Sequence, residues 1–522
     1  LGRLRVLSTP SFWESTLKLL LVLVSLSFVL VFLIVSFRRL LYPYELEWME
    51  GGSVDHVLRL IQGLPLYVSP TLDFTPYRYT PLYYFVGWFV AQITGIGFVP
   101  LRIVSILSTL ACFGLVFQFV RKETGNVWAG LVGVGFLAAT YPIGGDWFDV
   151  GRCDMLFIAL LLGGLYALRF YASGRGVLMA SLLFSLSYLT KQVATLVIVP
   201  MALYLLVVDR KRGVLFICGT VVGIVATSLA FEQVYQGWYS YYTFELGRSI
   251  TYRGTLIGRF RSYLHVLVLR PFPVVSLLGL FYLVYRTFQA KNLRNRLYYW
   301  FALGSLTFSA FLLWINAGSY YNNLIPQHVA LSLVLGCGLG VVIEKARSGS
   351  SVRMSAVSIA VLLLTIGQMA AMRYDPAGLI PTSADRQAGD AFVNLMRSID
   401  GEVLVPFHGY IPVLAGKRSH AQRMAMQDGI NRTRGHPRDS LLADIRRCIS
   451  EKKFSAIILD HRWFDREMSS TYDSTGVVFA DTTVYWPVTG WRIRPTTIFR
   501  PKPPTEIGDH ISEIDSTTKV KR

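Results

Sequence analysis

LYYFVGWFVAQITGIG, residues 82–97, decides how this chain is threaded. The run is apolar enough for a membrane span, yet its 16 residues would reach only about 24 Å as a helix, short of a ~30 Å hydrocarbon core. It also carries Gln92 and Thr94. Charge settles the question. If 82–97 does not cross, the basic loops at Arg121-Lys122, Arg175, Arg210-Lys211-Arg212, Arg286 to Arg296 and Lys345 to Arg353 fall on one side, with the basic N-terminus. If it crosses, all of them lie opposite Arg3, Arg5 and Lys18. The positive-inside rule therefore predicts a helix lying in the outer interface. Arg38 and Arg39, just outside the first span, are the exception to that rule.

Working outward, the 522 residues are 53% hydrophobic, with a mean hydropathy of +0.44, so the chain reads as an α-helical polytopic membrane protein. Spans are expected at 17–37, 100–120, 126–143, 154–172, 177–190, 193–208, 213–235, 266–286, 297–316, 324–343 and 352–372. That makes about eleven, with the N-terminus cytoplasmic and the C-terminus extracytoplasmic. The first run lacks a small-residue cleavage site and is expected to be retained. Loop Lys and Arg account for the net charge of +19, and no nucleic-acid-binding module is visible. The five cysteines are scattered and form neither a CxxC pair nor a disulfide framework.

Three regions follow: a membrane domain (1–372, first outer loop 42–99), a soluble α/β domain (373–500) and a polar tail (501–522) expected to be disordered. In the α/β domain, helices are expected at 385–399 and 440–448 and strands at 402–406 and 455–460, enough for a small independent core. No GxGxxG or P-loop stands between a strand and a helix. Internal repeats are not evident, which weighs against an inverted-repeat transporter.

The first outer loop is the most informative. Residues 44–52, YELEWMEGG, hold Glu45, Glu47 and Glu50 ahead of a Gly-Gly pair. Val54, Leu58 and Ile61 recur at helical spacing with Asp55, Arg59 and Gln62 off that face, and Gly63 can stop the helix, so a second surface helix is expected. By the same bookkeeping the loops 38–99, 144–153, 191–192, 236–265 and 317–323, and everything after 372, share the outer face. A carboxylate cluster held there suits chemistry on a lipid-linked substrate.

These residues resemble the GT-C glycosyltransferases, and within them the protein O-mannosyltransferase and lipid A aminoarabinose transferase-like branch. The likeness covers roughly residues 10–370. It rests on the acid cluster after span one, RLIQGLPLY (59–67), YTPLYY (79–84), Arg152-Cys153-Asp154 and Thr190-Lys191. The family's Asp-Glu-Gly/Ala corresponds to Met49-Glu50-Gly51, without the leading Asp; its Pro-Pro-Leu to Thr80-Pro81-Leu82; its second-loop Asp to Asp154; its Lys-Gly to Lys191-Gln192. The resemblance implies an inverting hexosyl- or pentosyltransferase of the inner membrane. Such an enzyme takes sugar from a polyprenyl-phosphate carrier on the extracytoplasmic face and passes it to a glycan, lipid or protein acceptor.

That chemistry needs a base for the acceptor hydroxyl and positive charge for the departing phosphate. A carboxylate facing a partly dehydrated cavity suits the role of base. Glu50 is the leading candidate and Glu47 its competitor, while Glu45 is expected to solvate the loop. Asp154, opening a span, needs a partner; it can orient the acceptor, pair with Arg152, help hold a cation, or simply cap its helix. Candidates for the phosphate are Arg78, Arg152, Lys191, Arg248, Arg253, Arg259 and Arg261, and Tyr320, Tyr321, Asn322, Asn323 and His328 can line the sugar, a histidine inside a span being more often a hydrogen-bonded core residue. No cofactor is implied, although a divalent cation is compatible with the acids. The competing readings are a transporter or flippase of a lipid-linked sugar, with the same phosphate clamp and no base, and a non-catalytic membrane assembly factor.

Overall fold

The fold was obtained as a computed structural model describing residues 10–248, 255–316, 318–348 and 352–503; Arg253 and all but the start of the polar tail lie outside them. The chain opens with α1 (Pro10–Leu40), then α2 (Glu50–Ile61) and α3 (Leu82–Thr94) in the first loop, and continues through α4 (Phe98–Thr124), α5 (Val127–Ala139), α6 (Asp154–Phe170), α7 (Gly174–Thr190), α8 (Thr195–Val208) and α9 (Arg210–Val234). After short helical turns come α10 (Leu256–Ser262), α11 (Pro273–Gln289), α12 (Leu293–Trp314), α13 (Ile325–Ser348) and α14 (Val352–Ala371). Every apolar run read from the sequence forms a helix. Among the described residues, five helices (α1, α4, α9, α12 and α13) are long and apolar enough to cross a membrane alone, and a bent pair makes a sixth.

That pair corrects one boundary. Residues 266–269 do not begin the span expected at 266–286; they end a segment, 256–269, that meets α11 at 103°. Pro271 and Pro273 account for the break, because proline lacks the N–H that a continuing helix needs.

Small residues set the close packing of the bundle. A Cβ on Gly135 of α5 would lie 2.3 Å from the Ser25 Cβ of α1. One on Gly336 of α13 would lie 3.0 Å from the Ala129 carbonyl. Helix α5, at 13 residues, is thus buried between α1 and α13, and Gly219 and Gly223 of α9 meet Ser181 and Ser185 of α7 in the same way.

The C-terminal region contains α15 (Ser383–Arg397), β1 (Val403–Leu404), α16 (Arg423–Arg432), α17 (His436–Ser450), β2 (Ala456–Leu459), α18 (Asp465–Thr471), β3 (Tyr472–Val477) and β4 (Thr497–Pro501). Its sheet runs β1-β2-β4-β3. β1 and β2 are parallel, with Val403 opposite Ala456, and β4 is antiparallel to both neighbours.

Two expectations change here. The core of the α/β region is not independent: Phe392, Leu404, Phe407 and Ile445 share one apolar cluster with Tyr44, Trp48, Val54 and Val57 of the first loop. Nor does the first half of α2 lie at a surface, although Arg59 is half-buried and Gln62 exposed beyond it. Its first two turns are buried, and a Cβ on Gly51 would fall 1.9 Å from the Gly409 carbonyl oxygen. Asp55 accepts hydrogen bonds from the Tyr410 N–H (3.1 Å) and the Ser419 hydroxyl (2.8 Å). Burial drives its pKa up to about 8 against those two bonds. The helix expected at the surface is instead packed between the helix bundle and the C-terminal α/β region.

Candidate active site

The loop end of the bundle is organised by a buried ion pair. Glu50 opens α2, and its carboxylate accepts from Arg102 through Nε (2.9 Å) and Nη2 (2.7 Å) and from the N–H groups of Leu46 (2.8 Å) and Gly151 (2.6 Å). Arg102 also donates to the carbonyls of Arg39, Tyr42 and Tyr44. Glu50 and Arg102 are fully buried. Burial pushes the Glu50 carboxyl up, but Arg102 and the two N–H groups more than offset it, so its pKa ends below the ordinary value. With four donors on two oxygens, this carboxylate ties the first loop, α4 and the second loop together. Arg102 was missed in the sequence, although a lone arginine in an apolar helix is itself a signal.

Glu47, three residues earlier, is equally buried and far less satisfied. Its side chain faces Arg152, whose Nη1 lies 3.2 Å away. Burial raises its pKa to about 8, against the pull of Arg152 and with a push from Glu50 and Glu45. The Arg152 guanidinium also donates to the Tyr79 hydroxyl (3.1 Å) and faces the rings of Tyr77, Tyr79 and Trp147 within 6 Å.

Asp154 opens α6, and its side chain has three donors. Lys191 Nζ lies 2.7 Å and Asn322 Nδ2 3.2 Å from Oδ1, and the Trp147 indole N–H is 2.8 Å from Oδ2. Lys191 stands where α7 breaks into a short turn before α8. Burial lowers the pKa of its ammonium most, but Asp154, together with Cys153 and Tyr79, more than offsets it, so the group ends above its ordinary value. Trp147 links the two ion pairs, its ring beside Arg152 and its N–H on Asp154.

The remaining candidates fall elsewhere. Arg78 faces Asp428 of the α/β domain at 3.5 Å. Arg259 donates to the Ile315 carbonyl at 2.8 Å. Arg248 ends a short helical turn, and its side chain lies outside the described residues. Tyr321 is 44% exposed against Trp314 and Tyr320, and Asn323 bonds Ser319; the neighbouring Asn322 reaches Asp154. Glu45 is buried and does not solvate the loop: it accepts from the Gly51 N–H (3.0 Å) and pairs with His408 (2.5 Å), whose other nitrogen meets Asp460 at 2.8 Å. Arg39, the exception to the charge rule, is buried with Asp149 at 3.3 Å. Among the described residues, no three His, Cys, Asp or Glu side chains converge as metal ligands.

The fold is that of the GT-C membrane glycosyltransferases. It is similar to the crystal structures of ArnT from Cupriavidus metallidurans, in the apo state (TM-score 0.54) and bound to undecaprenyl phosphate (TM-score 0.55), each at 14% identity over 91% of this chain and 97% of that one. It is also similar to the archaeal oligosaccharyltransferase AglB from Archaeoglobus fulgidus, in complex with an inhibitory peptide and a dolichol-phosphate (TM-score 0.51, 10% identity, 86% of this chain and 69% of that one). Arabinofuranosyltransferase AftD from Mycobacteria aligns at TM-score 0.51 and 13% identity, over 94% of this chain and 41% of that one. Within this fold, the model of the dolichyl-phosphate-mannose-protein mannosyltransferase family matches residues 78–231. No curated protein matches the sequence.

Proposed function

We propose that the chain is a membrane glycosyltransferase that moves a sugar from a polyprenyl-phosphate donor to an acceptor hydroxyl. The site is the loop end of the bundle, on the extracytoplasmic face of the inner membrane. One observation carries the reading: the ion pairs Glu47–Arg152 and Asp154–Lys191 stand side by side around Trp147. Two buried cations, each facing one acid, form a site that an incoming phosphate can take over by displacing those acids. The phosphates bound in the ArnT and AglB structures support that choice of anion.

The acceptor oxygen attacks C1 of the sugar and passes its proton to a carboxylate, while the C1–O bond to the phosphate breaks and its electrons leave with the phosphate oxygen. Arg152 and Lys191 neutralise that charge, which is where electrostatic stabilisation acts. Glu47 is the base. Glu50 would need to give up Arg102 to serve, whereas burial makes the Glu47 carboxylate a strong proton acceptor once ionised. Attack opposite the departing phosphate inverts C1.

The test is release of free polyprenyl phosphate by purified protein in lipid, given a panel of polyprenyl-phosphate sugars and cell-envelope acceptors. Release with one donor, lost in Glu47→Gln and retained by folded Arg78→Ala, is the expected result. Movement of lipid-linked sugar across the bilayer without release would overturn it in favour of a flippase.

A further inference from the structure

The segment YWPVTGW, 485–491, belongs to the α/β domain by sequence and to the membrane domain by contact. One end is pinned to the α/β region and the two ends are joined to each other. The Tyr485 N–H donates to Asp385 (2.7 Å), and Arg494 donates to the carbonyls of Asp481 (3.0 Å) and Val484 (2.5 Å). The middle leaves that domain. Val488 packs on the apolar core of the helix bundle, and Thr489, 4% exposed, forms a parallel β-bridge with Glu47. Its N–H donates to the Leu46 carbonyl at 3.2 Å.

From there the segment touches the surroundings of both carboxylates. The Thr489 hydroxyl donates to the Gly145 carbonyl. Its single proton is thereby used, so the Tyr320 hydroxyl, 3.2 Å away, donates to it. The Tyr320 ring lies 5.3 Å from that of Trp147, whose N–H holds Asp154. Gly490 lies on Glu47 itself: a Cβ there would stand 2.8 Å from Cγ and 2.9 Å from Oε1. Its φ of +80° is one that residues with side chains rarely adopt.

We propose that Thr489 and Gly490 are positioning residues of the transfer site, Gly490 setting Glu47 and Thr489 setting Asp154 through Tyr320 and Trp147. The α/β domain thereby completes a site whose charged groups all come from the membrane domain. This rests on the glycosyltransferase reading above. Neither residue touches the reacting atoms; they act by holding acids whose placement to a fraction of an ångström governs rate.

The experiment compares full-length wild type, Thr489→Val, Thr489→Ser and Gly490→Ala in lipid nanodiscs, each checked for an unchanged melting temperature. Steady-state transfer is measured against pH, and hydrogen–deuterium exchange is followed at 44–50 and 144–154. Valine keeps the shape of Thr489 and removes both hydroxyl bonds, so kcat should fall about tenfold with donor KM nearly unchanged. Serine should restore it to within about twofold by returning the hydroxyl. Gly490→Ala should cost about a hundredfold and displace the pH profile, since Glu47 must move relative to Arg152. Exchange should quicken at 144–154 in Thr489→Val and at 44–50 in Gly490→Ala. An active wild type matched by Thr489→Val and Gly490→Ala in kcat, pH profile and exchange overturns this inference alone. A wild type that transfers no sugar from any donor overturns the glycosyltransferase reading, whatever the variants do to exchange.

Discussion

Glu50 and Glu47 are separated by a single turn of chain, are both buried, and each faces an arginine. Glu50 receives four hydrogen bonds, two of them from a partner, Arg102, that is locked onto three carbonyls. Glu47 faces Arg152 at 3.2 Å, and Arg152 also serves Tyr79. The same chemical group is thus an anchor at one position and, in the reaction proposed above, the base at the other. What differs is the supply of donors, which fixes the carboxylate's charge in one place and leaves it negotiable in the other.

Glu47→Gln sharpens the contrast most: transfer should fall by about 10²- to 10⁴-fold, as when a general base is lost, with the melting temperature held. Arg102→Ala should do the reverse. It strands a buried carboxylate and should cost about 3–5 kcal/mol, seen as loss of folded protein in thermal unfolding before any kinetic defect can be read. If Arg102→Ala folds normally and only loses activity, the division of labour is wrong.

Acidity separates the two carboxylates next. The Glu47 pKa, raised to about 8, means that the base form accumulates as pH rises. Transfer rate should therefore climb from pH 6 to a plateau above pH 8, and the climb should vanish in Glu47→Gln. The same shift fixes the sign for stability. Between the unfolded carboxyl value and about 8 the native state holds the extra proton, so this group's contribution falls as pH rises through that window. A rate independent of pH across the range would remove Glu47 as base. The smallest effect is expected at the domain junction. His408 is lifted to about 10 by Asp460 and Glu45 despite burial, so the stability it gives is full below the ordinary histidine value and is lost as pH rises toward 10. His408→Gln should flatten that decline, read as melting temperature from pH 7 to 10.

Much of the fold was legible because membrane spans advertise themselves locally. Within 82–97, α3 takes 13 residues from Leu82 to Thr94, and β1 and β2 fall inside the strands expected at 402–406 and 455–460. Strands β3 and β4 escaped because neither carries a buried alternation: YDSTGV is exposed after its first residue. The bend before α11 was hidden because apolar residues resume directly on both sides of Arg270, Pro271 and Pro273. In the site, Glu47, Arg152, Asp154 and Lys191 were named as residues, but the ranking of Glu50 over Glu47 turned on Arg102, Leu46 and Gly151, and sequence spacing does not show which donors fold onto which acid. Asn322 stood among the residues expected to line the sugar, whereas Trp147 is legible only as an aromatic residue in a short loop. Thr489 and Gly490, over 440 positions from Glu47, carry no local mark at all.

That separation along the chain sets an order of events. The β-bridge joining Glu47 to Thr489 closes a loop spanning most of the polypeptide, a late contact by its entropy and by its position in synthesis. The helices can enter the bilayer one by one while Glu47 stands without its roof. Residue 489 emerges from the ribosome only after the last of them, so a half-made protein carries every charged group of the site and none of its closure. If Thr489 and Gly490 position the acids as proposed, competence comes only when residues 485–491 dock, and a chain truncated before them should stay inert in the membrane.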